Sequence, residues 1–84
     1  MMDSTIQIYG ADWCGDCRRA KKFLISHEIP FKWIDIENDK EGEHYVLEVN
    51  QGMRSIPTIR FEDGSLLVEP SNMEISRKLG LQTA

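Results

Sequence analysis

The sequence predicts a small α/β domain with elements in the order β-α-β-α-β-β-α. Three observations carry that expectation. Short β-branched segments alternate with longer segments of helical periodicity; Gly, Pro and an Asp63-Gly64 pair punctuate them; and the only two cysteines stand as Cys14-x-x-Cys17 at the first strand-to-helix junction. The chain has 84 residues, so one domain spanning 1–84 is expected, near the size where a single core suffices. Its 40% hydrophobic and 29% charged residues are ordinary globular composition. A formal charge of −4 argues against a nucleic-acid partner, which wants a basic face. No apolar run approaches the ~18 residues of a membrane span. Met1-Met2-Asp3-Ser4-Thr5 shows no secretory signal, so a cytoplasmic location and a monomer are the expectations.

Thr5-Ile6-Gln7-Ile8-Tyr9 alternates and is β-branched, which predicts the first strand, ended by Gly10. From Cys14 to His27 the period becomes helical: Cys17, Ala20, Phe23 and Leu24 share one face, and Arg18, Arg19, Lys21 and Lys22 cover another. Ile29-Pro30 breaks that helix, because a residue before proline avoids helical angles. Phe31 to Ile36 alternates again. Asn38 with Glu41 forms a capping-box pattern for a second helix reaching Asn50, with Tyr45, Val46 and Val49 inward and Gln51-Gly52 as its stop. Pro57 precedes a strand, Thr58 to Phe61; Asp63-Gly64 turns the chain; Leu66-Leu67-Val68 returns antiparallel. Ser71 with Glu74 is a second capping box, for a helix through Leu79 closed by Gly80.

Two cysteines in a reducing compartment are seldom a structural staple, and so short a loop would constrain the unfolded chain little. The pair is therefore redox-active or metal-binding. A zinc site would recruit His27 and His44, but these lie 17 residues apart instead of the three to five of zinc-finger spacing, and surface positions suit them better. Phe23, Phe31, Trp33 and Phe61 fit core faces, and Met53 and Met73 are expected as packing filler.

At larger scale the chain resembles the glutaredoxins, and within them the mycoredoxin branch. The residues carrying the resemblance are Trp13-Cys14-Gly15-x-Cys17, Asp35-Ile36-Glu37, the run from Val49 through Arg54-Ser55-Ile56-Pro57 to Thr58, Phe61-Glu62-Asp63-Gly64-Ser65, and Pro70-Ser71. The resemblance implies a thioredoxin-like fold with a mixed four-stranded sheet flanked by helices, and a cis peptide between Ile56 and Pro57. It implies a thiol–disulfide oxidoreductase with no bound cofactor and a small thiol, mycothiol or glutathione, as co-substrate. Its partners would be mixed disulfides of that thiol, protein disulfides and, indirectly, a flavin reductase system. Two readings compete: a redoxin dedicated to ribonucleotide reductase and recharged by thioredoxin reductase, and an iron–sulfur carrier, which nothing in these residues specifically supports.

Disulfide exchange needs an accessible thiolate. Cys14, at the helix start, meets unpaired N–H groups and the positive end of the helix dipole, so it is the expected nucleophile. Cys17, one turn further on, is the expected resolving thiol, more buried and less ionised. Trp13 would form a lip beside the sulfur, Gly15 would admit substrate, Ile56 would pair with it through its backbone beside Pro57, and Arg54 would bind a carboxylate or hydroxyl of the small thiol. Two positions and one stretch depart from the family pattern. Asp16 replaces an aromatic residue and would oppose the thiolate, unless it points to water or pairs with Arg19. Gly10 stands where glutathione-type members carry lysine, and Glu69-Pro70-Ser71-Asn72 replaces their Gly-Gly-Cys-Asp stretch. These changes suit a neutral thiol such as mycothiol, or a basic protein, better than anionic glutathione. Ser71 is read as a helix cap.

Overall fold

A computed structural model describes residues 5–81. The elements run β1 (Ile6–Gly10), α1 (Gly15–Ser26), β2 (Phe31–Asp35), α2 (Lys40–Val49), β3 (Thr58–Arg60), β4 (Leu66–Val68) and α3 (Asn72–Leu79), in the order the periodicity predicts. The strands form one mixed sheet ordered β2-β1-β3-β4, with β1 and β2 parallel and the other pairs antiparallel.

Strand alternation decides which helix covers which face. Ile6 and Ile8 of β1, with Ile59 and Phe61, pack against Ala20 and Leu24 of α1 and Ile75 of α3. Tyr9, Ile34 and Ile36 point the other way, onto Val46 of α2, where the Tyr9 and Tyr45 rings stack with centroids 4.8 Å apart. Ile8, Leu24, Ile59, Ile75 and Val46 are fully buried, each contributing about 1.5–3 kcal/mol through removal of apolar surface from water.

Helix ends follow local chemistry, with one shift from the expected residue. α3 has its full capping box: Ser71 accepts from Glu74 N–H, Glu74 accepts from Ser71 N–H, and Gly80 closes the helix in the left-handed region. At α2 the cap is Asp39, whose carboxylate accepts from Gly42 N–H at 2.9 Å, and not Asn38. Asn38 is already engaged, since its amide donates to Asp35 Oδ2 at 2.8 Å.

The sheet register assembles one end of the molecule. Gly10 pairs with Asp35, and Tyr9 pairs with Thr58, which pairs with Val68. Continuing those ladders by one residue sets Pro57 beside Gly10 and Glu69 beside Pro57, and the Glu69 N–H does donate to the Pro57 carbonyl at 2.8 Å. The chain leaves β1 at this end to form the Cys14 loop.

Candidate active site

Cys14 is the N-cap of α1. Its φ of −80° and ψ of 116° are extended, and its sulfur accepts the Cys17 backbone N–H at 3.3 Å, where a serine or aspartate oxygen would ordinarily sit. Its own N–H donates to the Ala11 carbonyl at 3.1 Å, which fixes the Asp12-Trp13 turn that presents it. The sulfur therefore ends a helix at its positive pole, partly open to solvent, with an N–H already aimed at it.

Cys17 differs in every respect that matters. It is 0% exposed. Burial pushes its thiol up to about 12, its hydrogen bond to the Cys14 sulfur adds to that, the Ala11 backbone works in the opposite direction, and charge on Cys14 and Asp16 contributes less. Both cysteines are free thiols in this structure. A partly exposed sulfur that accepts a hydrogen bond and a buried sulfur that keeps its proton, one turn apart, form an asymmetric dithiol.

Gly10 makes room for that buried sulfur. A Cβ at this position would lie 2.4 Å from Cys17 Sγ and 2.9 Å from Trp33 Cη2. A side chain here would have to displace the Cys17 sulfur or the Trp33 ring, so the position is closed by packing. Lys21 lies over the outer part of the same cluster, its Nζ 3.8 Å from the Trp33 ring centroid and 3.8 Å from Asp12 Oδ1.

Around the sulfur, Trp13 is 64% exposed, and a Cβ on Gly15 would meet nothing within 4 Å, so substrate has open space on that side. Asp16 is exposed and pairs with Arg19 at 3.6 Å, which is the alternative that weakens its effect on the thiolate. Arg19 does more than this. Its guanidinium donates to Asn72 Oδ1 at 2.6 Å and to the Pro70 carbonyl at 2.8 Å, tying the stretch before α3 to the dithiol helix. Ser71 is occupied as the helix cap.

The Ile56–Pro57 peptide is cis. Its loop is pinned from below by a buried pair: Thr58 Oγ1 donates to the Ser55 carbonyl at 2.7 Å and accepts from Asn50 Nδ2, which also donates to the Val46 carbonyl. Ile56 lies outside the strand ladders, and its backbone takes part in none of the loop hydrogen bonds among the described residues, which leaves it available for an extended partner. Arg54 donates hydrogen bonds to Glu37, in the turn between β2 and α2, and to Glu43 of α2.

Sequence reasoning gives Asn50 and Thr58 no tertiary role, and places Arg19 only on the outer helix face or beside Asp16. Asn50 and Thr58 sit inside the stretch that matches the family, but their contact across eight residues leaves no periodic trace. Met53 and Met73 correct an expectation: at 64% and 59% exposed they are surface residues and fill no core. His27 packs on the Phe23 ring at the end of α1, and His44 is exposed on α2. Among the described residues no group of three or more His, Cys, Asp or Glu side chains converges as a metal site.

A glutaredoxin family model matches residues 6–66. The chain belongs to the glutaredoxin family. It is 39% identical over 79 residues to a Mycobacterium tuberculosis protein named as a glutaredoxin, covering 94% of each chain. It is 37% identical over 76 residues to mycoredoxin 1 of Corynebacterium glutamicum, covering 90% of this chain and 94% of that one. Its backbone matches the crystal structure of a thioredoxin-like protein with a TM-score of 0.83 at 21% identity, over 96% of this chain and 100% of the other. The glutaredoxin fold here is thus thioredoxin-like, as the resemblance implied. Glutaredoxins are in general thiol–disulfide oxidoreductases that act with small thiols and protein disulfides.

Proposed function

We propose that this glutaredoxin reduces mixed disulfides between proteins and a small thiol, with Cys14 as nucleophile, Cys17 as resolving thiol and mycothiol as the small thiol. The observation that carries the reading is the asymmetry of the dithiol: Cys14 is accessible and capped by an N–H, whereas Cys17 is buried and protonated. The Cys14 thiolate attacks the small-thiol sulfur of the mixed disulfide. A bond forms between Cys14 and that sulfur, the S–S bond between it and the target's sulfur breaks, and the target leaves as a thiolate that takes up a proton. In one branch a second small thiol, as its thiolate, attacks the bound small-thiol sulfur, releasing Cys14 thiolate and a symmetric small-thiol disulfide for a flavin reductase system to recharge. In the other, Cys17 loses its proton and attacks Cys14, which expels the small thiol and leaves a Cys14–Cys17 disulfide.

Two physical points support mycothiol over glutathione. The site has no cation at position 10, and Glu69 adds negative charge at the same end of the sheet, where Asp16 is paired with Arg19. Mycothiol is neutral and glutathione is an anion, so the cost falls on glutathione. The resemblance to mycoredoxin 1 agrees with this choice. The cycle needs one chain, and a cytoplasmic setting suits free thiols.

Parallel assays on one peptide carrying either a mycothiol or a glutathione mixed disulfide test the proposal. Tenfold preference for mycothiol in kcat/KM, about 1.4 kcal/mol in the transition state, is expected. Equal rates, or preference for glutathione, overturn the choice of thiol. Faster recharging by thioredoxin reductase than by any small thiol would move the protein to the ribonucleotide-reductase donors.

A further inference from the structure

We infer that the outward row of α1, from Cys14 through Arg18 and Lys22 to Ile25, is a docking surface for an acidic segment of the protein whose disulfide Cys14 attacks. The inference rests on the oxidoreductase reading above and adds the kind of target it takes. Residues one turn apart on a helix are neighbours, with about 5–6 Å between Cβ atoms. Arg18 follows Cys14 by one turn, and its N–H donates to the Cys14 carbonyl at 3.1 Å. By the helical rise, Lys22 lies about 12 Å and Ile25 about 16 Å along the axis from Cys14. The row faces away from the buried side of the helix, made by Cys17, Ala20 and Leu24. Its side chains are exposed, Ile25 to 64%.

The flanking cations are engaged, Arg19 with Asp16, Asn72 and the Pro70 carbonyl, and Lys21 with Asp12 and the Trp33 ring. Arg18 and Lys22 are not. Among the described residues neither side chain has a carboxylate or hydrogen-bond partner, and the acids of this region, Asp12 and Asp16, are already taken. Charge is also sorted by face. α1 carries Arg18, Arg19, Lys21 and Lys22 against Asp16, and α3, packed on the same side of the sheet, carries Arg77 and Lys78 against Glu74. α2, on the other side, carries Glu41, Glu43 and Glu48 against Lys40.

The chain as a whole is −4, so an acidic segment is repelled by the net charge and attracted along one row, which leads to the nucleophile. Such a field steers encounter and fixes orientation. Of the acids that favour a basic partner, Asp16 is paired with Arg19, and Glu69 stands beside Pro57 and not on α1. An extended segment rises about 3.3 Å per residue, so acids two and four positions from its cysteine lie about 7 and 13 Å away, matching the spacing of Arg18 and Lys22.

The test uses two peptides bearing the same mycothiol mixed disulfide, one with Glu at the second and fourth positions on each side of its cysteine, the other with Gln there. At about 10 mM ionic strength, where the Debye length is about 30 Å, kcat/KM for the acidic peptide is expected to exceed that for the neutral one by about three- to tenfold, through KM. At about 1 M salt, where that length is about 3 Å, the ratio should approach one. Net charge alone predicts the opposite preference. Arg18→Gln/Lys22→Gln should remove the preference, and any change it makes in Cys14 reactivity affects both peptides alike and cancels in the ratio. Lys32→Gln/Lys40→Gln makes the same change in net charge from β2 and α2 and should keep the parent's ratio.

A ratio of one or below at low salt in the parent, a preference that survives Arg18→Gln/Lys22→Gln, or one lost equally in Lys32→Gln/Lys40→Gln overturns the inference. So does low-salt self-association, or binding to vesicles of phosphatidylserine and phosphatidylcholine, that Arg18→Gln/Lys22→Gln abolishes, since the row would then belong to a second copy or to a membrane. Failure of the oxidoreductase reading is separate: the parent would then reduce neither peptide.

Discussion

Replacing Gly10 with alanine is expected to destabilise the reduced protein, against the sign that backbone propensity assigns to it. Propensity alone predicts a gain of about 0.5–1 kcal/mol, because glycine in a strand loses more chain entropy than alanine. The structure predicts a loss. The new Cβ would stand 2.4 Å from Cys17 Sγ and 2.9 Å from Trp33 Cη2, both shorter than non-bonded contacts allow, with a third, tight contact of 3.1 Å to Trp33 Cζ3. Cys17 is fixed on α1 and fully buried, and the Trp33 ring is covered by Lys21, so neither neighbour can retreat freely. Overpacking of this kind costs about 1–3 kcal/mol. In a domain of this size each kcal/mol lowers the Tm by about 4–8 °C. Urea unfolding of the reduced protein measures the loss. The cause is separated by a cycle with Cys17→Ala, which removes the sulfur. The double variant should be more stable than the sum of the two single effects by about 1 kcal/mol. A Gly10→Ala protein as stable as its parent, or a strictly additive cycle, would refute the reasoning.

Three further outcomes follow from the geometry. Folded Cys17 keeps its proton to about 12, whereas the unfolded thiol releases it near 9.0, so between those values the unfolded chain binds fewer protons. Stability of the reduced protein should therefore be flat with respect to this group below about pH 9 and fall as pH rises above it. The difference between the parent and Cys17→Ala unfolding curves isolates that slope, and parallel curves would contradict it. Thr58→Val keeps the shape but removes the part-buried bond to Ser55 and the buried acceptor for Asn50; a loss of about 1–3 kcal/mol in denaturant unfolding is expected. Asp16→Asn should change the rate of Cys14 alkylation at neutral pH by less than about twofold, because the carboxylate is exposed and paired with Arg19. A larger acceleration would show that Asp16 opposes the thiolate after all.

The elements were legible because their signals are local. Ile6 and Ile8 alternate, Cys17, Ala20 and Leu24 recur with a helical period, and the Ser71–Glu74 box and Gly80 mark both ends of α3. The dithiol was legible for the same reason: its chemistry depends on two residues three apart at a helix start. What escaped depends on contacts between distant residues. Asn38 fits a capping-box pattern, but its side chain bonds Asp35 and the cap is Asp39. Gly10 read as the end of a strand, although its reason is the sulfur seven residues on and the indole of Trp33. Arg19 read as outer-face charge, yet it reaches across to Pro70 and Asn72. The partners of Arg54, 17 and 11 residues back along the chain, have no sequence pattern that announces them. Met53 and Met73 are apolar in composition, and apolar character alone does not tell a core position from a surface one.

The division of labour between Cys14 and Cys17 is tested most directly by trapping the first covalent intermediate. Reduced Cys17→Ser and Cys14→Ser proteins are each mixed with a peptide carrying a small-thiol mixed disulfide, quenched in acid and weighed by mass spectrometry. Cys17→Ser should gain the mass of the small thiol on Cys14 while the peptide is released with a free thiol, and Cys14→Ser should gain nothing on the same timescale. An adduct on Cys17 in the Cys14→Ser protein, or capture of the peptide instead of the small thiol by Cys14, would contradict the account.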